Sequence, residues 1–268
     1  MGMQRPAVIQ GPEVSGTSDA SGNAGASPSP AASPSPGISG RPAVFGTSGV
    51  SGKSAVRWPL WEILGMFGVL ISYIWVWAGA FEGSFPLVVI LYFGLGLAAH
   101  LRAGEGAADL GIRTDNLVPA ARNALLATLA IGLGLAGVGA LFGTLDYPPL
   151  LLWPHALRDG VVWGMMQQYG LLCIFYRRFS ELFPRHRAVP IWGASAVFSL
   201  LHLPNPFLTL ATLAAGALSC WLYRRRPNLL VLGVMHGVVS FLIVHSLGSP
   251  ITMGMRVGPG FFRFMAGR

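Results

Sequence analysis

Seven apolar stretches, at residues 58–81, 85–101, 117–142, 160–176, 189–203, 207–223 and 229–246, dominate this chain beyond its N-terminal tail. Stretches of that length with almost no charge have no soluble form, and in lipid only helices and closed barrels satisfy their own backbone. The alternation of a barrel strand is absent. The predicted fold is therefore all-α, a polytopic transmembrane helical bundle of about seven to eight spans. Composition agrees, with 53% hydrophobic and only 10% charged residues, where soluble domains carry about 25%. Residues 147–155, with three prolines, read as a re-entrant or interfacial piece lengthening the fourth span, and 255–264 as a segment folding back at the interface.

Residues 1–56 are rich in Gly, Ser, Pro and Ala, with repeated Ser-Pro at Ser27–Pro30 and Ser33–Pro36. That composition buries too little surface to fold, so the tail is predicted to be disordered and 57–268 to form the transmembrane domain. The tail lacks the apolar run of a signal peptide, which leaves insertion to the first span.

A net charge of +8 in a soluble protein points to nucleic acid. Here the arginines gather in alternate connections: Arg41, Lys53 and Arg57 before the first span, Arg102 and Arg113 after the second, Arg177, Arg178, Arg185 and Arg187 after the fourth, and Arg224, Arg225 and Arg226 after the sixth. The charge is read as topological, with no nucleic-acid partner. The positive-inside rule predicts a cytoplasmic N-terminus in a bacterial inner (plasma) membrane. Cys173 and Cys220 lie within spans and read as packing residues. Glycines 132, 134, 137, 139 and 143 of the third span read as a close helix-packing face.

Four strongly polar side chains interrupt the apolar runs. Gln167 and Gln168 lie midway along the fourth, His202 in the fifth and His236 in the seventh. An unpaired amide in an apolar medium costs roughly 2–7 kcal/mol, so such groups meet around water, substrate or one another. Counted along each helix from the basic side, Gln167, His202 and His236 lie at about 15, 20 and 11 Å, overlapping depths suited to one site. Phe198 and His202 share a helix face, as do His236 and Ser240, which places the Ser240 hydroxyl within reach of the ring. Pro204 and Pro206 end the helix after His202 and are predicted to hold Asn205 at the mouth of the same cavity.

Residues 160–246 resemble the CPBP family of intramembrane endopeptidases, the CAAX protease and bacteriocin-processing group that includes the type II CAAX prenyl endopeptidases. That family carries Glu-Glu-x-x-x-Arg, Phe-x-x-x-His and His-x-x-x-Asn on three spans. Phe198–His202 matches the second motif, and His236 with Ser240 the third with serine for asparagine. In the first, Gln167 and Gln168 replace the glutamates and Leu172 the arginine. The resemblance implies cleavage of a peptide bond in a membrane-associated protein or peptide. Gln167, Gln168, His202, His236 and Ser240 would be the catalytic set, Phe198 and Asn205 would contact substrate, and no metal or cofactor would be needed.

In the family a glutamate activates water while histidines and asparagine stabilise the oxyanion. A glutamine cannot accept a proton, so the base here falls to His202 or His236, with a glutamine orienting the water. Three other readings stand beside proteolysis: a catalytically inactive site that binds a peptide or lipid segment, as an immunity factor or scaffold; purely structural interhelical hydrogen bonds; and a transporter, for which no inverted repeat is evident. Two histidines and an amide make a poor zinc ligand set. Glu62, the one carboxylate within a span, is predicted to snorkel to the cytoplasmic interface.

Overall fold

The computed structural model describes residues 52–81 and 83–267, with the side chains of 52–57 left aside. The tail expected over 1–56 falls, as far as residue 51, outside the described residues; helix begins at Gly52, within the stretch read as tail. The described residues contain helices and no strand. They are α1 (Gly52–Ser72), α2 (Phe85–Ala103), α3 (Leu117–Phe142), α4 (Trp153–Gln168), α5 (Ala188–Leu200), α6 (Pro206–Arg225), α7 (Leu229–Thr252) and α8 (Gly258–Ala266).

The chain is an integral membrane protein, in which five helices are long and apolar enough to cross a membrane: Trp58–Ala80, Phe85–Ala103, Leu117–Phe142, Pro206–Arg225 and Leu229–Met255. The other two apolar stretches are helical as well, but one is short, at α5, and the other is the middle of an inner rod. That rod starts at α4, passes through a π-helical segment at Tyr169–Tyr176 and ends in a further α-helical turn and a half at Arg177–Leu182. Leu171 to Phe175 are at most 1% exposed, so the rod meets protein on all sides along this stretch, while Val162 and Trp163 leave one face of α4 exposed. A turn of 3-10 helix at Leu150–Leu152 leads into it, where an interfacial piece was expected.

Helix ends follow local chemistry. Gly104 and Gly143 close α2 and α3 in the left-handed conformation, at φ 68° and 64°, which costs glycine nothing. Asn205 and Asn228 cap α6 and α7, each side-chain oxygen accepting a backbone N–H three residues on.

Two small-residue faces fix the crossing of α4 and α7. A methyl added at Gly164 would lie 2.9 Å from Gly233 O and Gly237 N, and one at Gly237 would lie 2.6 Å from Val161 Cα. The two backbones therefore touch through a small-xxx-small pair on each helix. Two of the five third-span glycines pack as expected. Gly132 and Gly139 abut Leu242 and Ser246 of α7, whereas Gly134, Gly137 and Gly143 face open space.

At the basic end, Glu105 accepts from Arg177 Nε at 2.7 Å and Arg178 Nη2 at 2.6 Å, and contacts His100 Nδ1 at 2.7 Å. Arg178 is fully buried and pairs also with Glu62 and Glu181. Two arginines read as topological charges are thus structural. Glu62 bonds Arg102 and Arg178 rather than extending alone to the interface. His100 Nε2 lies 3.0 Å from Tyr169 Oη, which ties the cluster to the first residue of the π segment. Burial pushes the Glu105 carboxyl up, but hydrogen bonds from His100 and Arg178 and the two guanidinium charges outweigh it and hold it down at about 2.

Thermal unfolding of the full chain in detergent checks both features. Gly237→Ala forces backbone apart and is expected to cost about 1–3 kcal/mol, while Gly134→Ala, with nothing within 4 Å, leaves stability unchanged; equal effects would contradict the crossing. Because Glu105 is depressed from 4.5 to about 2, its stabilisation is complete above the higher value and lost as pH falls through the lower one. Glu105→Gln should therefore destabilise strongly at neutral pH, by about 3–5 kcal/mol for a broken buried pair. The gap between mutant and wild type should close in acid; a gap independent of pH would refute the assignment.

Candidate functional site

The glycine crossing sets α4 against α7 one turn from Gln168, so the amide reaches the facing helix. Gln168 is 3% exposed. Its Nε2 donates to His236 Nδ1 at 3.0 Å and to Ser219 Oγ on α6 at 3.2 Å. Its Oε1 is buried without a hydrogen-bond partner. A buried orphan acceptor costs roughly 1–3 kcal/mol, a cost that any donor reaching this oxygen would relieve.

His202 follows the end of α5, where its Nδ1–H donates to the Phe198 carbonyl at 2.9 Å and its ring meets Phe198 edge-on at 5.0 Å. That bond fixes the proton on Nδ1 and leaves Nε2 with a lone pair. At His236 the Gln168 donor occupies Nδ1, which leaves the proton on Nε2. The two imidazoles thus present opposite faces: one accepts a proton, the other donates a hydrogen bond.

Both rings line one cavity of about 590 Å³, together with Gln167, Gln168, Phe198, Ser219 and Ser240. The rest of the lining is chiefly aliphatic and aromatic, and among the described residues it includes no carboxylate, lysine, arginine or cysteine. No three His, Cys, Asp or Glu side chains gather as a metal-ligand set among the described residues.

Six of the seven residues singled out in the sequence meet at this cavity, with Gln167 half-buried beside its bonded neighbour. The contact to His236 expected of Ser240 is made by Gln168 instead. Asn205 stands apart. It is fully buried, its Nδ2 donating to Thr252 O at 3.0 Å and Arg256 O at 3.1 Å while its Oδ1 caps α6. Those bonds, with Gly258 N–H to Leu203 O at 2.9 Å, clasp the His202 turn to the segment after α7, whose Met255 and Val257 close one wall of the cavity.

Ser219 was not read from the sequence. Its signal is the spacing from Thr212, two helical turns earlier, which puts both hydroxyls on the cavity face of α6. Tyr92 also lines the cavity and donates to Met166 O at 2.7 Å, bracing the last turn of α4.

Such a site offers a proton acceptor, a hydrogen-bond donor and an orphan carbonyl in apolar surroundings, the parts needed to activate and direct a water. Residues 149–242 match a family model described as type II CAAX prenyl endopeptidase Rce1-like. No curated protein and no solved structure matches the chain. The matched stretch takes in Gln167, Gln168, Phe198, His202, Ser219, His236 and Ser240, so the polar cavity is built within it. Over residues 149–242 the chain is similar to the type II CAAX prenyl endopeptidase Rce1-like family.

Proposed function

We propose that this protein is a CAAX protease-like intramembrane endopeptidase that cleaves a peptide bond of a membrane-associated protein or peptide with a histidine base. The observation that carries the reading is the complementary pair of imidazoles, His202 with Nε2 bare and His236 with Nδ1 engaged by Gln168, on one apolar cavity. A water held by Gln168 Oε1 gives its proton to His202 Nε2 and attacks the carbonyl carbon. The resulting oxyanion takes hydrogen bonds from His236 Nε2–H and the Ser240 hydroxyl, and His202 returns the proton to the leaving amine as the C–N bond breaks. No cofactor enters the scheme. The alternation of arginines supports a bacterial inner-membrane protein with its basic end and N-terminus in the cytoplasm; a cysteine placed at position 83 should then react with an impermeant reagent from outside.

One observation favours a second reading. Among the described residues the cavity lining includes no carboxylate, and a site that has lost its base still holds a peptide or lipid segment, as a scaffold or immunity factor does.

Comparison of membrane peptidomes from cells with and without the protein separates the two. Proteolysis by a histidine base predicts cleavage products that vanish with the protein and fall by about 10²-fold or more in His202→Ala and His236→Ala. Gln168→Glu should lower activity too, because a carboxylate beside His236 alters the proton affinity of the ring. Cleavage that appears only in Gln168→Glu would identify a retired enzyme. No cleavage by either form, with a substrate bound, leaves the binding reading.

A further inference from the structure

Apart from the polar cavity, a groove of about 370 Å³ runs between α5 and α6 at the basic end. Ile191 and Ala217 form its floor, Trp192 and Trp221 its walls, and Arg187 and Arg224 its rim. Arg224 Nη1 donates to Arg187 O at 3.4 Å, which draws its guanidinium across the opening, and Arg225 stacks over the Trp221 ring at 3.8 Å.

The two rim arginines share with the adjacent Arg185, Arg225 and Arg226 the lack of a carboxylate partner among the described residues. Arg102, Arg113, Arg177 and Arg178, by contrast, each pair with a carboxylate. The tryptophan walls are 55% and 40% exposed and lie within about a turn and a half of the arginines, the arrangement of an aromatic belt at a membrane interface. α5 has 13 residues, about 20 Å of helix, short against a hydrocarbon core of about 30 Å. Val189 beside the groove, and Leu200 and Leu210 toward the opposite end of the α5–α6 hairpin, are exposed apolar side chains as well.

We propose that this groove is a binding site for an anionic phospholipid. The phosphate sits between Arg187 and Arg224, and an acyl chain descends between Trp192 and Trp221 onto Ile191 and Ala217. Charge complementarity selects the anionic class: a zwitterionic headgroup would bring its ammonium against the same arginines and Arg225. The occupied groove braces the outer face of the α5–α6 hairpin, whose inner face carries Phe198, His202 and Ser219. Lipid composition would thereby bear on the cavity without entering it.

Native mass spectrometry of the full chain, released from detergent with equimolar phosphatidylglycerol and phosphatidylcholine of the same acyl chains, tests this. Phosphatidylglycerol should be retained preferentially, and the Arg187→Gln, Arg224→Gln double variant should lose about tenfold or more of that retention. The matching double lysine variant should keep most of it. Ala217→Trp fills the groove while sparing both arginines, and should also abolish retention with an unchanged thermal unfolding profile. Equal retention of the two lipids, retention untouched by either variant, or competition by chain-free glycerol phosphate as strong as by the lipid itself would each overturn the proposal.

Discussion

Contact between two backbones, α4 against α7 through Gly160, Gly164, Gly233 and Gly237, is the constraint on which the rest of the structure depends. Lipid tails are as apolar as leucine, so no hydrophobic force draws membrane helices together; close van der Waals approach and buried hydrogen bonds do. With glycines at the closest points of the crossing, the two helices come near enough for Gln168 and His236 to bond directly one turn further along. A single Cβ at Gly164 or Gly237 would push the helices apart and stretch that bond. The glycines therefore act on the site through distance, though none of them carries chemistry.

Two clamps keep the crossing in register. At the basic end, Glu105 gathers Arg177, Arg178 and His100, and His100 passes the tie to Tyr169. At the opposite end, Asn205 and Gly258 bind the His202 turn to the segment after α7. Between the clamps runs the π segment, fully buried from Gly170 to Tyr176. A π turn carries an extra residue per turn, which shifts the faces presented by the residues beyond it. Arg177 and Arg178 thus reach Glu105 while Gln168 keeps its bearing on α7. Cavity and ion cluster are consequences of one rod that changes pitch between them.

Much of this was legible in advance, because lipid leaves few options. Every apolar run became helix, α3 with the bounds expected, and the pattern Phe198–His202 and His236–Ser240 placed the polar residues on one cavity. What escaped was whatever depends on neighbours. The glycines of α4 and α7 are spaced no differently from those of α3, and only the packing partner shows which face is used. Asn205 followed by proline reads equally as a cavity-mouth residue and as a helix cap, and backbone carbonyls from a distant segment decided the matter. Arg177 and Arg178 look like loop charges until Glu62 and Glu105 are found beside them. Ser219 is one serine on a mostly apolar helix, meaningful only once Gln168 lies opposite.

The central claim is that Gln168 and the Phe198 carbonyl set the two imidazoles in opposite proton states, giving one base and one donor. Nitrogen-15 NMR of histidine-labelled protein in bilayers at neutral pH reads this directly, with the two sites among the six histidines assigned by single substitution. The account predicts His202 protonated on Nδ1 and His236 on Nε2, with Gln168→Leu releasing His236 but leaving His202 unchanged. Both rings protonated on the same nitrogen, or His236 indifferent to Gln168, would contradict it.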